Sequence, residues 1–266
     1  MLSLPAWSQA SYTGTIGPAS IELMLDEVAP GKVRGVYLYP RFGNPIALGG
    51  TLKNGRLTLT EADAHGKPAA TFTVPVFADT ASRNTGTWRS RATGRELPLT
   101  LTLARKAEAK DGRNELELLQ AASLKQVYFK TVLPIAASGN AATFLSDVKL
   151  LEKISNRLVN EFVLEDCRPI GTHNVSVGDY NFDGYPDFSV FAGSFEGPNA
   201  SNHYFLYDPA HKRFMESSFS GVSLKFDPKT KRITERNSCC AGSSVTTVVY
   251  KVVDNKMVAV ARHCYR

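Results

Sequence analysis

Between Val177 and Val190 the chain reads V-G-D-Y-N-F-D-G-Y-P-D-F-S-V, with oxygen-bearing side chains at every second position, Asp179, Asn181 and Asp183, followed by Gly184 and then Asp187. The pattern D-x-N-x-D-G-x-x-D suits calcium. A hard cation takes about six to eight oxygens, so one short turn must deliver several carboxylates at once. Alternate residues of a curled loop point inward, Gly184 allows the sharp bend, and Tyr185 can offer its backbone carbonyl. Asp, Asn and Gly also build ordinary surface turns. Here the apolar residues between the acids and the crowding of like charge favour a metal. The expected ligands are Asp179, Asn181, Asp183, Tyr185 and Asp187, with Ca2+ as the cofactor. An EF-hand is excluded, because Val190 stands where a bidentate Glu is required, and Val175, Val177, Phe188 and Val190 alternate as strands do.

The elements that must position this loop read as strands throughout. From Ser11 to about Arg105, short alternating segments recur: Ile21 to Leu25, Val33 to Tyr39, Leu52 and Leu57 across the hairpin signal Asn54-Gly55, Thr71 to Phe77, and Leu97 to Leu103. About eight strands at this spacing predict an antiparallel barrel or sandwich. Pro75 predicts an edge or a bulge. The Ala-, Lys- and Gly-rich stretch Lys106 to Asn114 reads as a linker, dividing the chain into residues 1–110 and 111–266. Beyond it, strands continue around the acidic loop and turn at Asp208-Pro209, Asp227-Pro228 and Asp254-Asn255. Residues 143–164 carry some helical spacing, but a hairpin through Ser155-Asn156 is preferred. The expected fold is all-β, a barrel or sandwich followed by a calcium-binding, propeller-like or sandwich β domain.

Composition narrows the function. The 266 residues, 43% hydrophobic and 21% charged, suit a globular protein. No apolar run approaches the roughly 20 residues of a membrane span. The net charge of +6 is scattered, without a basic stripe interleaved with aromatics, so nucleic acid is not an expected partner. The four cysteines, Cys167, Cys239, Cys240 and Cys264, include no C-x-x-C pair. Two disulfides are expected, tying Cys239 and Cys240 separately to Cys167 and Cys264, and imply an oxidising compartment. Leu2 to Trp7 is apolar and Ser8-Gln9-Ala10 has the form of a signal-peptidase site, as the tail of a leader would, and an added Met before a flexible mature terminus is an equally simple reading.

No catalytic constellation stands out. The histidines His65, His173, His203, His211 and His263 lack H-E-x-x-H spacing, the serine of Gly193-Ser194-Phe195-Glu196-Gly197 is misplaced for a nucleophile elbow, and no phosphate-binding glycine loop occurs. A non-enzyme is expected. Glu196 to Asn202 is small, polar and broken by glycine and proline, and reads as an exposed loop whose first strand the metal would hold.

The run from Asn174 to Met215, with VGDYNFDGYPDFSVFAG and NHYFLYDPAHKRF, resembles bacterial cell-envelope proteins with calcium-loop β domains that inhibit peptidoglycan hydrolases. It is most similar to immunity proteins of xanthomonad-type bacteria, which protect the producer from lysozyme-like effectors of its killing type IV secretion system. The resemblance is loose over the whole chain and best over residues 148–235. It implies a periplasmic protein, of a kind often lipid-anchored in its precursor, that inserts a loop into the cleft of a lysozyme-like hydrolase. It also implies that Ser201 and Tyr204 take the place of that loop's serine and tyrosine, with Asn202 where a glycine stands. The competing expectations are a calcium-dependent glycan-binding module, with Tyr180, Tyr185 and Trp88 stacking on sugar, and a glycoside hydrolase with unpaired carboxylates.

Overall fold

The computed structural model describes residues 9–63, 65–104, 107–108, 114–135, 142–194, 199–239 and 243–265, and the side chains within these ranges except those of 107, 108, 114 and 239. The apolar Leu2–Trp7 stretch lies outside them. Among the described residues every regular element is a strand. The chain forms two compact units, residues 1–164 with 169–174, and residues 165–168 with 175–266.

The first unit opens with a closed antiparallel barrel of eight consecutive strands. These are β1 (Gln9–Ile16), β2 (Ala19–Ala29), β3 (Lys32–Leu38), β4 (Ile46–Lys53), β5 (Arg56–Ala62), β6 (Pro68–Val74), β7 (Arg83–Ser90) and β8 (Glu96–Leu103). Closure joins β8 to β1, with Tyr12 opposite Leu103 and Ile16 opposite Leu99. Alternation sends Tyr12, Leu23, Tyr37, Leu57, Phe72 and Leu101 inward, all at most 1% exposed, as period-two sequences require when one face is buried. The expected Asn54-Gly55 hairpin forms with both residues at positive φ, 50° and 74°, the primed turn whose twist matches its strands. Pro75 marks no edge. The strand ends at Val74, one residue before the position where proline would break the ladder. Gln9 and Ala10, read as part of a cleavage site, pair with Asp26 and Leu25 in β1.

The same unit holds most of a five-stranded sheet in the order β13-β12-β11-β10-β9, built from β9 (Ala107–Glu108), β10 (Asn114–Ser123), β11 (Val127–Ile135), β12 (Leu145–Glu152) and β13 (Leu158–Cys167), whose residues from 165 on belong to the second unit. The expected hairpin through Ser155-Asn156 is present, so residues 145–167 extend rather than coil. The division expected at residue 110 falls in the connection between barrel and sheet, mostly outside the described residues. Both belong to one compact unit, however, and the break comes near residues 165–174. A half-buried ionic seam links them: Lys130 of β11 reaches Glu22 of β2 at 2.9 Å and Glu117 of β10 at 3.1 Å, with the lysine side chain only 12% exposed. Lys149 bonds Glu115 and Glu117, each at 2.9 Å.

The second unit contains two four-stranded antiparallel meanders. One runs β14 (Val175–Gly178), β15 (Asp187–Ser194), β16 (Ala200–Asp208) and β17 (Arg213–Glu216). The other runs β18 (Lys225–Asp227), β19 (Arg232–Cys239), β20 (Ser244–Val253) and β21 (Lys256–Tyr265). Four-stranded meanders are the form of propeller blades. Tyr180, Phe182, Tyr204, Leu206, Phe219 and Ile233 make one buried cluster drawn from both.

The expected disulfides are not formed by Cys167 and Cys264, which are both free. Cys240 and the side chain of Cys239 lie outside the described residues. Register explains why Cys239 does not serve Cys264: Cys239 of β19 faces Ser244, Cys264 of β21 faces Thr246, and the whole of β20 lies between. Two strand spacings are about 9.5 Å, beyond the roughly 7 Å a disulfide spans between α carbons.

Candidate metal centre

The acidic loop joins β14 to β15, and Gly178 pairs with Asp187 at its mouth. Its apolar residues anchor it. Tyr180 is 9% exposed, lies edge-on to Tyr204 at 5.0 Å and against Phe226 at 4.8 Å, and shares a hydrogen bond with Ser189 at 3.0 Å. Gly178 is required beneath that ring, since a β carbon there would come within 2.9 Å of it. Phe182 adopts a positive φ of 63°, and its carbonyl accepts from Lys231 Nζ at 3.1 Å. The polar residues are thereby left to curl around the loop's own amides.

The carboxylates accept those amides in sequence. Asp179 takes the N–H groups of Asp183 at 3.1 Å and Gly184 at 3.0 Å, and Asp183 takes that of Tyr185 at 2.8 Å. Asn181 donates to Asp183 Oδ2 at 2.8 Å and to Asn255 Oδ1 at 3.0 Å, fastening the loop to the β20–β21 turn. Asp187, with no solvent exposure, accepts Tyr180 N–H on one oxygen and Tyr207 N–H on the other, both at 2.8 Å. Burial pushes its carboxyl up to about 6, against the pull of those amides, and Asp183 adds to the rise.

Among the described residues, no three His, Cys, Asp or Glu side chains converge as a metal-holding group. The donor chemistry nevertheless fits calcium. A carboxylate offers about four lone-pair positions and the amides use two or three of them, so Asp179, Asp183 and Asp187 keep acceptor capacity. None of the three makes an ion pair among the described residues, although a buried carboxylate is costly without a compensating charge. Gly184, at φ 90° with open space where a β carbon would stand, makes the bend that the sequence pattern requires.

The other expected contact residues fare differently. Ser201 and Tyr204 are strand residues of β16, paired with Gly193 and Ser189. Ser201 is half-buried, but Tyr204 is 3% exposed and packed among Tyr180, Phe219 and Phe226. A tyrosine so enclosed cannot enter another protein's cleft, and the expectation for Tyr204 is corrected to a core role. The period-two spacing from Tyr204 to Leu206 was the available signal. Residues 195–198 of the expected loop lie outside the described residues. Its far end is pinned: Asn199, 6% exposed, donates to Ser238 O at 2.7 Å and accepts from Ser238 N at 3.1 Å, extending β19 by a side chain. Sequence reading did not single out Asn199. Of the three aromatics considered for sugar stacking, Tyr180 is buried and Trp88 packs against the barrel core, while Tyr185 is 45% exposed and lies 5.9 Å from Tyr207.

No protein-family model matches the chain, and no curated protein matches it. A solved structure, an oligogalacturonate lyase in complex with manganese, aligns over 96% of this chain and 85% of its own at 10% identity and a TM-score of 0.21, a likeness too low to bear on fold or function.

Proposed function

We propose that this is a non-catalytic, calcium-stabilised protein of the periplasm that inhibits a lysozyme-like peptidoglycan hydrolase, as an immunity protein does. The observation that carries the calcium reading is Asp187, a fully buried carboxylate at the mouth of a loop bearing two further aspartates. Hydrolase inhibition rests on the resemblance of that loop and the strands after it.

Asp179, Asn181, Asp183 and Asp187 would hold the ion through side chains and Tyr185 through its carbonyl. Bound there, calcium supplies the positive charge that the cluster lacks. The protein's own residues do the positioning. Asp187 ties the start of β15 to β16 through Tyr207, Tyr180 and Tyr204 fill the core beneath, and Asn199 fixes the far root of the β15–β16 connection. Ser201, at that root, keeps the role of contact residue. Tyr204 supports it from within. A rigid connection loses less entropy on docking than a mobile one.

One turbidity assay on cell-wall substrate tests the reading. Protein that slows a lysozyme-like hydrolase supports it. Protein that only sediments with peptidoglycan is a glycan-binding module, and protein that clears the substrate alone is an enzyme. Either of the last two results overturns the proposal.

A further inference from the structure

The outer face of the barrel carries a regular array of threonines that neither the calcium loop nor hydrolase inhibition uses. The sequence repeats T-x-T on five strands: Thr13-Gly14-Thr15, Thr58-Leu59-Thr60, Thr71-Phe72-Thr73, Thr85-Gly86-Thr87 and Thr100-Leu101-Thr102. Register aligns several of them. Thr73 of β6 faces Thr58 of β5 on one side and Thr87 of β7 on the other. One step along, Thr71 faces Thr60 and Arg89, and Arg89 faces Glu96 of β8. Since Phe72 and Val74 fill the barrel, their neighbours Thr71 and Thr73 point outward.

Over β6 and β7 this array lines an open groove of about 630 Å³, to which Thr71, Thr73, Thr87, Arg89, Arg91 and Glu96 contribute. That volume falls within the range of ligand sites. The wall is ordered: Arg91 N donates to Ala69 O at 2.9 Å, Ser90 N to Arg95 O at 2.9 Å and Gly94 N to Ser90 O at 3.0 Å, with Gly94 at φ 68°. Arg91 is thereby held at the rim with its side chain exposed, and makes no ion pair among the described residues. Arg89 stands 3.6 Å from Glu96, too long for a hydrogen bond, with both side chains more than half exposed.

We infer that this groove binds an oligosaccharide bearing carboxylates. Each threonine hydroxyl both donates and accepts, as a sugar's hydroxyls do, whereas a guanidinium only donates and its planar fork matches a carboxylate. Rows of hydroxyls repeat across strands about 4.8 Å apart, close to the length of one sugar ring in an extended chain. Among the described residues no aromatic side chain lines the groove, so the recognition rests on hydrogen bonds and charge rather than ring stacking. The two arginines read the charge, Glu96 remains on Arg89, and the threonines read the hydroxyls. The site uses no residue of the calcium loop, so its failure leaves the inhibitor reading standing.

The test is titration calorimetry of the full chain at low salt with a hyaluronate hexasaccharide, fully N-acetylated chitohexaose and an oligothymidylate of similar length. The two sugars share N-acetylglucosamine and differ in carboxylates. Hyaluronate should give saturable heat, and chitohexaose should bind at least about tenfold more weakly, the scale of losing a charge-assisted bond. Arg89→Gln/Arg91→Gln should raise the hyaluronate Kd by about tenfold or more, Thr71→Val/Thr73→Val by severalfold, and Arg232→Gln, in the other unit, not at all. Unchanged melting curves would show that these surface variants fold. The inference is overturned by absence of saturable heat with hyaluronate, by equal affinity for chitohexaose, by tighter binding of the oligothymidylate, or by wild-type affinity in the double arginine variant.

Discussion

Asp187 and Tyr207 are twenty residues apart, yet the Asp187 carboxylate accepts the Tyr207 backbone N–H at 2.8 Å. The other Asp187 oxygen takes the N–H of Tyr180 at the same distance, so one buried side chain joins the acidic loop, β15 and β16. Removing it strands one buried and one half-buried donor and breaks the loop's attachment to the sheet.

Asp187→Ala should therefore destabilise the second unit by about 2–4 kcal/mol, from two unsatisfied amides at roughly 1–3 kcal/mol each, less whatever water recovers. Asp187→Asn retains one acceptor and should cost less. Calcium should raise the melting temperature of the wild type, because a ligand bound only by the native state stabilises it, and neither variant should show the full rise. Thermal scans with calcium and with chelator provide the comparison. Identical wild-type curves in the two conditions would remove the metal assignment.

Tyr204→Ala should cost about 3–5 kcal/mol, the range for emptying a large buried aromatic site. Tyr204→Phe keeps the ring contacts with Tyr180 and Phe226 and should remain close to wild type. Urea denaturation separates this core role from a contact role, in which the alanine variant would stay stable and lose only its partner.

The ionic seam of the first unit should shape stability in acid. Burial alone would raise the Glu117 carboxyl, but Lys130 and Lys149 outweigh it and hold the group below its usual range. A carboxylate depressed in the folded state contributes stability that is present above its unfolded pKa of about 4.3 and is lost as pH falls through the lower folded value. Glu117→Gln should thus flatten the loss of melting temperature below about pH 4.5, while Lys130 keeps Glu22 and Lys149 keeps Glu115 and Glu161. An unchanged acid slope would show that the seam contributes nothing there.

Cys264 is exposed, whereas Cys167 has no solvent exposure and burial pushes its thiol up to about 12. The reactive species is the thiolate, so a charged maleimide should label Cys264 in the native protein and reach Cys167 only after unfolding. Peptide mass mapping reads the outcome, and early labelling of Cys167 would contradict its placement.

Period-two alternation determined that the chain is all-β. Asn54-Gly55 and Asp254-Asn255 determined two of its hairpins, because those residues accept the positive φ that such turns need. The spacing from Asp179 to Asp187 determined where the oxygens cluster. These are local effects, set by one residue and its near neighbours. Only the tertiary structure decided that eight strands close into a barrel rather than face another sheet, since closure depends on β1 meeting β8 across some ninety residues. It also decided which face of β16 is buried. The stretch from Ser201 to Tyr204 is polar enough to read as an exposed loop, and Tyr204 becomes core because Tyr180, Phe219 and Phe226 arrive from separate elements to enclose it. The cysteines follow the same rule. Their number and order are sequence, but whether two thiols can meet is set by the strand that register places between them.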